Sequence, residues 1–325
     1  MGGRATRSAS RRARFAEAMT SHGVAAVATG PLGALSHDEL GVIFDGLADP
    51  LHPAVAVALS STCLGLRTPL RAALEVLTER HEWAAAACRR MKTDCAELSR
   101  ITELTMTNQN LTPEFMEAFG MILRTNGLPR LESIEFANSG IGDHGIQALC
   151  NGLGHCAAPS LELLGLGGTV IGPPGATALA AALRRGAMRK LVTLGLMGNR
   201  VGKQGLGALA APLGKMPALE ELYLGHCDIG DDGVASLVAN IGKDDFKALN
   251  KLHLSPNQIT DEGMATLRSA VSSGAMPNLV ELHLGHRGLE PETEASEVAV
   301  EAVYAALEAR RRARNASKVC RRLMR

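Results

Sequence analysis

Tyr223, His253 and His283 stand at equal intervals along the chain. His226 and His286 form a second pair, at twice that interval. Glu221, Lys251 and Glu281 each sit two positions before one member of the Tyr223, His253, His283 series. If equal spacing means equal place in a repeated unit, these side chains share one surface. Two neighbouring imidazoles with carboxylates beside them could hold a metal ion. The same group could serve as a contact patch for a protein partner, or be a solvated face. The expected role is partner contact, with no metal and no cofactor.

Other chemistry finds little support in the residues. Nucleophile-elbow, phosphate-loop and His-Glu-x-x-His spacings do not occur, so no enzyme is expected. Cysteines stand at positions 63, 88, 95, 150, 156, 227 and 320, without a Cys-x-x-Cys pair to start a zinc site. Cys88 with Cys95, and Cys150 with Cys156, are near enough in sequence to pair. The odd count and the lack of a secretory apolar segment point to a reducing compartment. No stretch reaches the roughly 20 apolar residues needed to cross a bilayer. A net charge of +1 gives the chain no overall attraction for nucleic acid, and none is expected to bind. Aromatic residues are 3% of the 325, so the core must be aliphatic.

The elements that position these residues follow from a repeat. Ile101, Leu131, Leu161, Leu191, Leu219, Leu249 and Leu279 recur at one constant interval, shortened by two positions only between Leu191 and Leu219. The period falls in the range that marks stacked-repeat architectures. Each anchor opens a pattern L-x-x-L-x-L-x-x-(polar)-x-(I/V/L), as in Leu191–Val201 and Leu249–Ile259. The Leu-x-Leu alternation predicts a short strand with one face inward. The polar ninth residue (Gln109, Ser139, Thr169, Asn199, Cys227, Asn257, Arg287) can satisfy backbone groups where the chain leaves the sheet. Apolar pairs three and four apart, such as Leu179 with Leu183, then mark a helix. One such unit cannot bury its apolar side, but seven stacked units share a continuous core.

This segment resembles the ribonuclease-inhibitor-like class of leucine-rich repeats. The resemblance implies an α/β solenoid, a horseshoe with short parallel strands on its concave side and helices on its convex side. Phe115 replaces the glycine of later copies (Gly145, Gly175, Gly205, Gly233, Gly263), and Thr293 and Glu297 break the last copy, so both ends read as caps. A final helix from about residue 294 to 314 should bury Val300, Val303, Tyr304 and Leu307.

Before the repeats, residues 30–95 form short helical patterns. Leu35, Asp38, Leu40, Ile43, Phe44 and Leu47, followed by Cys63, Leu66 and Arg67, resemble an F-box, which docks a ubiquitin-ligase scaffold. The resemblance implies that Leu35, Leu40, Ile43, Phe44 and Leu47 contact a Skp1-type scaffold protein. Ser36 stands where that motif has proline, and Leu66 where it has tryptophan. A plain all-α cap domain for the first repeat remains the alternative, with Trp83 as a buried anchor.

The expected organisation is a disordered basic tail at 1–29, a helical F-box-like or capping domain at 30–98, a leucine-rich-repeat domain with C-terminal cap helix at 99–310, and a basic tail at 311–325. Arginines crowd both tails. The N-terminal six residues also fit a myristoylation pattern, and membrane contact is expected only if that lipid is attached. A cytoplasmic monomer is expected, with nuclear import and an organelle transit peptide left open.

On the concave face Glu103, Glu132, Glu135, Glu162, Glu220, Glu221 and Glu281 outnumber Lys251, which predicts a partner with a basic surface. The middle copies are nearly bare there: Gly165, Gly167, Gly168, Gly195 and Gly198. The partner-contact residues expected are Glu221, Tyr223, His226, Lys251, His253, Glu281, His283 and His286. The function expected is non-catalytic protein binding, either as an F-box-type substrate adaptor or as a general cytoskeletal or signalling scaffold. A GTPase-activating protein is a weaker alternative: one such family uses this repeat class but ends in an acidic tail, where this chain ends in a basic one.

Overall fold

The computed structural model describes residues 42–44, 47–61, 64–154, 156–239, 241–242, 245–284 and 295–323. Leu35, Leu40, Cys63, His286, Arg287 and the N-terminal arginines lie outside these residues. The chain divides into two units between His81 and Glu82.

In the first unit, helix α1 (Ala54–Ser61) is followed by α2 (Leu64–Arg90), which runs on into the second unit. Phe44, Ala56, Leu70 and Leu77 form its small core, with Ala48, Ala73 and Leu74 packed against them. Asp49 accepts a hydrogen bond from the Leu51 amide at 2.7 Å. The ring of His81 lies 2.6 Å from the Pro50 carbonyl, tying the end of this unit to its start.

Trp83 is not the buried anchor expected from its size: it is 48% exposed. The buried side chains of α2 include Leu70, Leu77, Ala84, Ala87 and Cys88. That spacing keeps them on one stripe, and residue 83 is turned about 100° away from residue 84.

The second unit begins with the end of α2 and a short helix α3 (Cys95–Leu98), capped by the Asp94 carboxylate. The Cys88 and Cys95 sulfurs lie 3.4 Å apart as free thiols. Cys150 is buried and Cys156 exposed, and the two are not joined to each other.

Among the described residues seven strands then alternate with helices: β1 (Glu103–Thr105), α4 (Pro113–Thr125), β2 (Ser133–Glu135), α5 (Gly142–Gly152), β3 (Leu163–Gly165), α6 (Pro173–Arg184), β4 (Thr193–Gly195), α7 (Gly202–Gly214), β5 (Glu221–Tyr223), α8 (Asp231–Ala239), β6 (Lys251–His253), α9 (Asp261–Ser273), β7 (Glu281–His283) and α10 (Glu297–Leu323). The strands form one parallel sheet in sequence order. It is open at both edges, as a leucine-rich-repeat solenoid requires. Each strand pairs at the same register with the next, so equivalent positions stack in rows. The central residue of every strand is buried, while its two neighbours face away from the helices.

At Ser139, Thr169, Asn199, Cys227 and Asn257 the polar ninth residue does what its type suggests. Asn199 Oδ1 accepts from the amides of Thr169 (3.1 Å) and Ile171 (2.9 Å), and its Nδ2 donates to the carbonyls of Leu166 and Leu196, both at 2.7 Å. Asn257 repeats this against Cys227, Ile229, Leu224 and Leu254. The shorter residues make part of the pattern: Thr169 donates to Leu166, Ser139 to Phe136 and Cys227 to Leu196.

A second ladder joins the helix starts. Asp143 Oδ1 accepts from the amides of Gly172 (2.7 Å) and Gly175 (2.9 Å) in the next copy. Asp231 does the same for Thr260 (2.8 Å) and Gly263 (3.0 Å), and Asp261 accepts from Ser296. A β-carbon on Gly175 would fall 2.6 Å from that Asp143 oxygen, which is why the helix carries glycine there. In the first copy no strand-helix unit precedes, and Phe115 instead fills the core, stacked on Phe119 with ring centres 6.2 Å apart.

At the C-terminal end helix α10 begins at Glu297 and is continuous through Leu323, so the basic run over residues 311–323 is part of the helix. Val300, Val303 and Leu307 are buried, and Tyr304 is half-buried. Arg310 is a structural residue. Its guanidinium donates to the carbonyls of Ala275 (2.7 Å), Leu279 (3.2 Å) and Val271 (3.5 Å), closing the end of α9. Arg314 donates to the Pro277 carbonyl at 2.9 Å. These five-donor side chains suit a helix end, where several carbonyls lack partners.

Candidate binding surface

The strand residues flanking each buried leucine make two rows on the open face of the sheet. The first row runs Glu103, Ser133, Leu163, Thr193, Glu221, Lys251, Glu281. The second runs Thr105, Glu135, Gly165, Gly195, Tyr223, His253, His283. Residues far apart in sequence become neighbours because adjacent strands lie about 4.8 Å apart.

The last three strands bring six of the expected contact residues together. The rings of His253 and His283 stack with centres 4.9 Å apart and planes at 25°. Tyr223 leans on His253 at 6.1 Å. The Tyr223 hydroxyl donates to Glu221 Oε2 at 2.8 Å. Lys251 Nζ sits 5.4 Å from the centre of the Tyr223 ring and 3.5 Å from Glu281 Oε2. Burial, then the bond to Glu221, pushes the Tyr223 phenol above its ordinary pKa. Tyr223 first, then Glu281 and Glu221, hold the Lys251 ammonium above its own.

Lys251 is therefore engaged by Tyr223 and Glu281. His226 is exposed on the turn after β5, outside the stacked row, and its amide bonds the Pro256 carbonyl at 2.6 Å. Among the described residues no three His, Cys, Asp or Glu side chains converge on a point that could hold a metal ion.

The rest of the face is acidic and, in the middle, low. Glu103, Glu132, Glu162 and Glu220 are exposed, and Glu135 is half-buried. Between Glu135 and Tyr223 the second row contains only Gly165 and Gly195. Leu163, Thr193 and Val192 are half-buried beside them, and Met197 is exposed. The result is an uncharged trough two strands wide, walled by Glu135 on one side and Tyr223 on the other. The glycines and the residues alongside them all fall at outward positions of the repeat, so their place on this face was legible in the sequence; that Leu163, Val192 and Thr193 are half-buried there was not, because burial depends on the neighbouring copies.

A second depression lies at the helix starts, lined by Lys203, Asp228, Asp231, Asp232, Glu262 and Thr266. Lys203 Nζ bonds Asp232 at 2.9 Å and the Asp231 carboxylate is occupied by Thr260 and Gly263, so its polar groups serve the fold. Asp143, Asp231 and Asp261 recur near the start of the helical segment, which was the available signal for that ladder.

Of the F-box-like residues, Ile43 is half-buried, Phe44 is 1% exposed and Leu47 is 37% exposed. Phe44 is thus a core residue of its unit, since a ring surrounded by Ala56, Leu70 and Leu77 has no free face for a partner.

A family model described as leucine-rich repeat matches residues 215–238 and 248–267, the copies that carry Tyr223 and His253. No curated protein sequence matches the chain. Among solved structures the chain is similar to the tropomodulin C-terminal domain of Caenorhabditis elegans, at 12% identity over 73% of this chain and 98% of that one, with a TM-score of 0.34. It is also similar to an internalin of Listeria monocytogenes, at 17% identity over 68% of this chain and 72% of that one, with a TM-score of 0.28.

Proposed function

We propose that this protein is a non-catalytic scaffold whose sheet face binds a basic surface on a protein partner. The observation that carries the reading is the set of exposed glutamates, Glu103, Glu132, Glu162 and Glu220, on the face that also carries the Tyr223–His253–His283 stack. Carboxylates on a solvent-facing sheet attract cations at long range, and the stacked rings supply flat apolar area at close range. Leucine-rich repeats serve as protein-binding scaffolds, which agrees with this use of the face.

A labelled arginine-rich peptide tests it on the full chain. Binding should weaken as salt rises, because exposed charges are screened. Tyr223→Ala with His253→Ala should weaken it by about tenfold, as expected for one aromatic contact. Peptide affinity unchanged by those substitutions and by salt would place the contact elsewhere.

A second reading keeps the first unit as an F-box-like adaptor for a Skp1-type scaffold. Exposed Val42, Leu47 and Val55 favour it, being apolar side chains outside the core of that unit. Val42→Asp with Leu47→Asp should abolish co-purification of the scaffold while leaving the chain folded. Phe44→Ala is the poorer test, since it removes the core as well.

A further inference from the structure

We infer that α10 is a basic arm that docks into the acidic sheet face of a second copy of this chain, giving weak head-to-tail association. The inference rests on the sheet face being a site for a basic partner, and it names that partner.

Three observations lead to it. First, α10 has 27 residues, about 40 Å of helix at about 1.5 Å per residue. Its packing ends early: Val300, Val303 and Leu307 are buried, and Arg310 and Arg314 close the end of α9. The helix continues from Asn315 to Leu323. Exposed Arg311 and Arg312 begin the arm, the sequence adds Lys318, Arg321 and Arg322, and no acid follows Glu308.

Second, charge on the sheet face is opposite. Glu103, Glu132, Glu162 and Glu220 are exposed there, and Lys251 is engaged by Glu281. Third, the shapes agree. The trough over Gly165 and Gly195 spans three strand intervals from Glu135 to Tyr223, about 14 Å, and a helix with its side chains is about 10–12 Å across. Exposed Arg312 borders the face shared by exposed Ala309, Ala313 and Ala316 and bonds Glu308 Oε2 at 3.1 Å, whereas exposed Arg311 lies about 160° round the helix from those alanines. The docked helix therefore turns its Arg311 side to the glutamates, and Arg312 reaches them by exchanging one exposed carboxylate for another.

The contact must be made in trans. The arm is the unbroken continuation of a helix pinned at Arg310 and Arg314 on the helical side of its own unit. To reach its own sheet it would have to break. An arm on one surface and a trough on another make a heterologous contact, which propagates instead of closing as a two-fold dimer does.

Sedimentation velocity on the full chain tests this. At low ionic strength the average mass should rise with concentration, and at high ionic strength the chain should return to monomer. Arg311→Glu with Arg312→Glu should weaken association about a hundredfold, as should Glu132→Lys with Glu162→Lys, through like-charge opposition. Neither pair touches the Arg310 or Arg314 bonds, and circular dichroism should stay that of the parent. Mixing the two reversed variants should restore assembly that neither shows alone.

A chain that stays monomeric at low ionic strength overturns the inference, as does association that survives either reversal. If the arginine peptide still binds the sheet face in that case, the proposed function stands and only the choice of partner fails. A monomer whose arm binds vesicles of acidic lipid, and loses them on reversal of Arg311 and Arg312, would assign the arm to a membrane surface instead.

Discussion

Asn199 is a single side chain holding four backbone groups from two copies, through Thr169 and Ile171 amides and Leu166 and Leu196 carbonyls. All are buried, so water cannot take its place. Asn199→Ala should cost about 3 kcal/mol or more, because each unmet buried group carries its own desolvation penalty of about 1–3 kcal/mol. Urea unfolding monitored by circular dichroism measures it. A loss below about 1 kcal/mol would mean that solvent enters the turn. The residue scale also separates arginines that composition alone treats alike. Arg310 gives its donors to three carbonyls, whereas Arg311 is exposed.

Among the elements, the connection between α8 and β6 depends on an asymmetric ion pair. The Asp245 side chain is 3% exposed, and Lys215 Nζ, itself 72% exposed, reaches its Oδ1 at 2.6 Å. Its other oxygen accepts from the Gly242 amide at 2.9 Å. The bond to Lys215 first, then that amide, holds the Asp245 carboxyl below the usual carboxylate range, against the effect of burial. A carboxyl whose folded pKa is depressed stabilises the protein above its unfolded value of about 3.9, and that contribution is lost as pH falls through the folded value. Stability should therefore drop below about pH 4. Lys215→Met should lower stability at neutral pH and flatten this acid limb, as thermal melts across a pH series would show. An acid limb identical in parent and variant would remove Asp245 from the account.

For the repeat unit as a whole, stability is a sum of copies and their interfaces, since each unit touches only its neighbours. Consecutive helices pack pairwise from α4 through α10, and the two edge strands have their flanking residues exposed where interior strands have them half-buried. Amide hydrogen exchange should be slowest in β3 to β5 and faster towards β1 and β7. Uniform protection along the array would contradict the nearest-neighbour picture.

The sequence by itself determined the repeat, its strand and helix faces, the buried polar ninth position and the row that joins Tyr223, His253 and His283. These follow from periodicity: a nearly fixed interval, with leucines at fixed offsets inside it, leaves one way to stack the units. Only the tertiary structure decided which side chains were already engaged. Lys251 is offset by Glu281, Phe44 lies in a core, Trp83 faces out, and the basic C-terminal run continues a packed helix. None of these has a periodic signature, because exposure and pairing depend on the neighbours that folding supplies rather than on spacing along the chain.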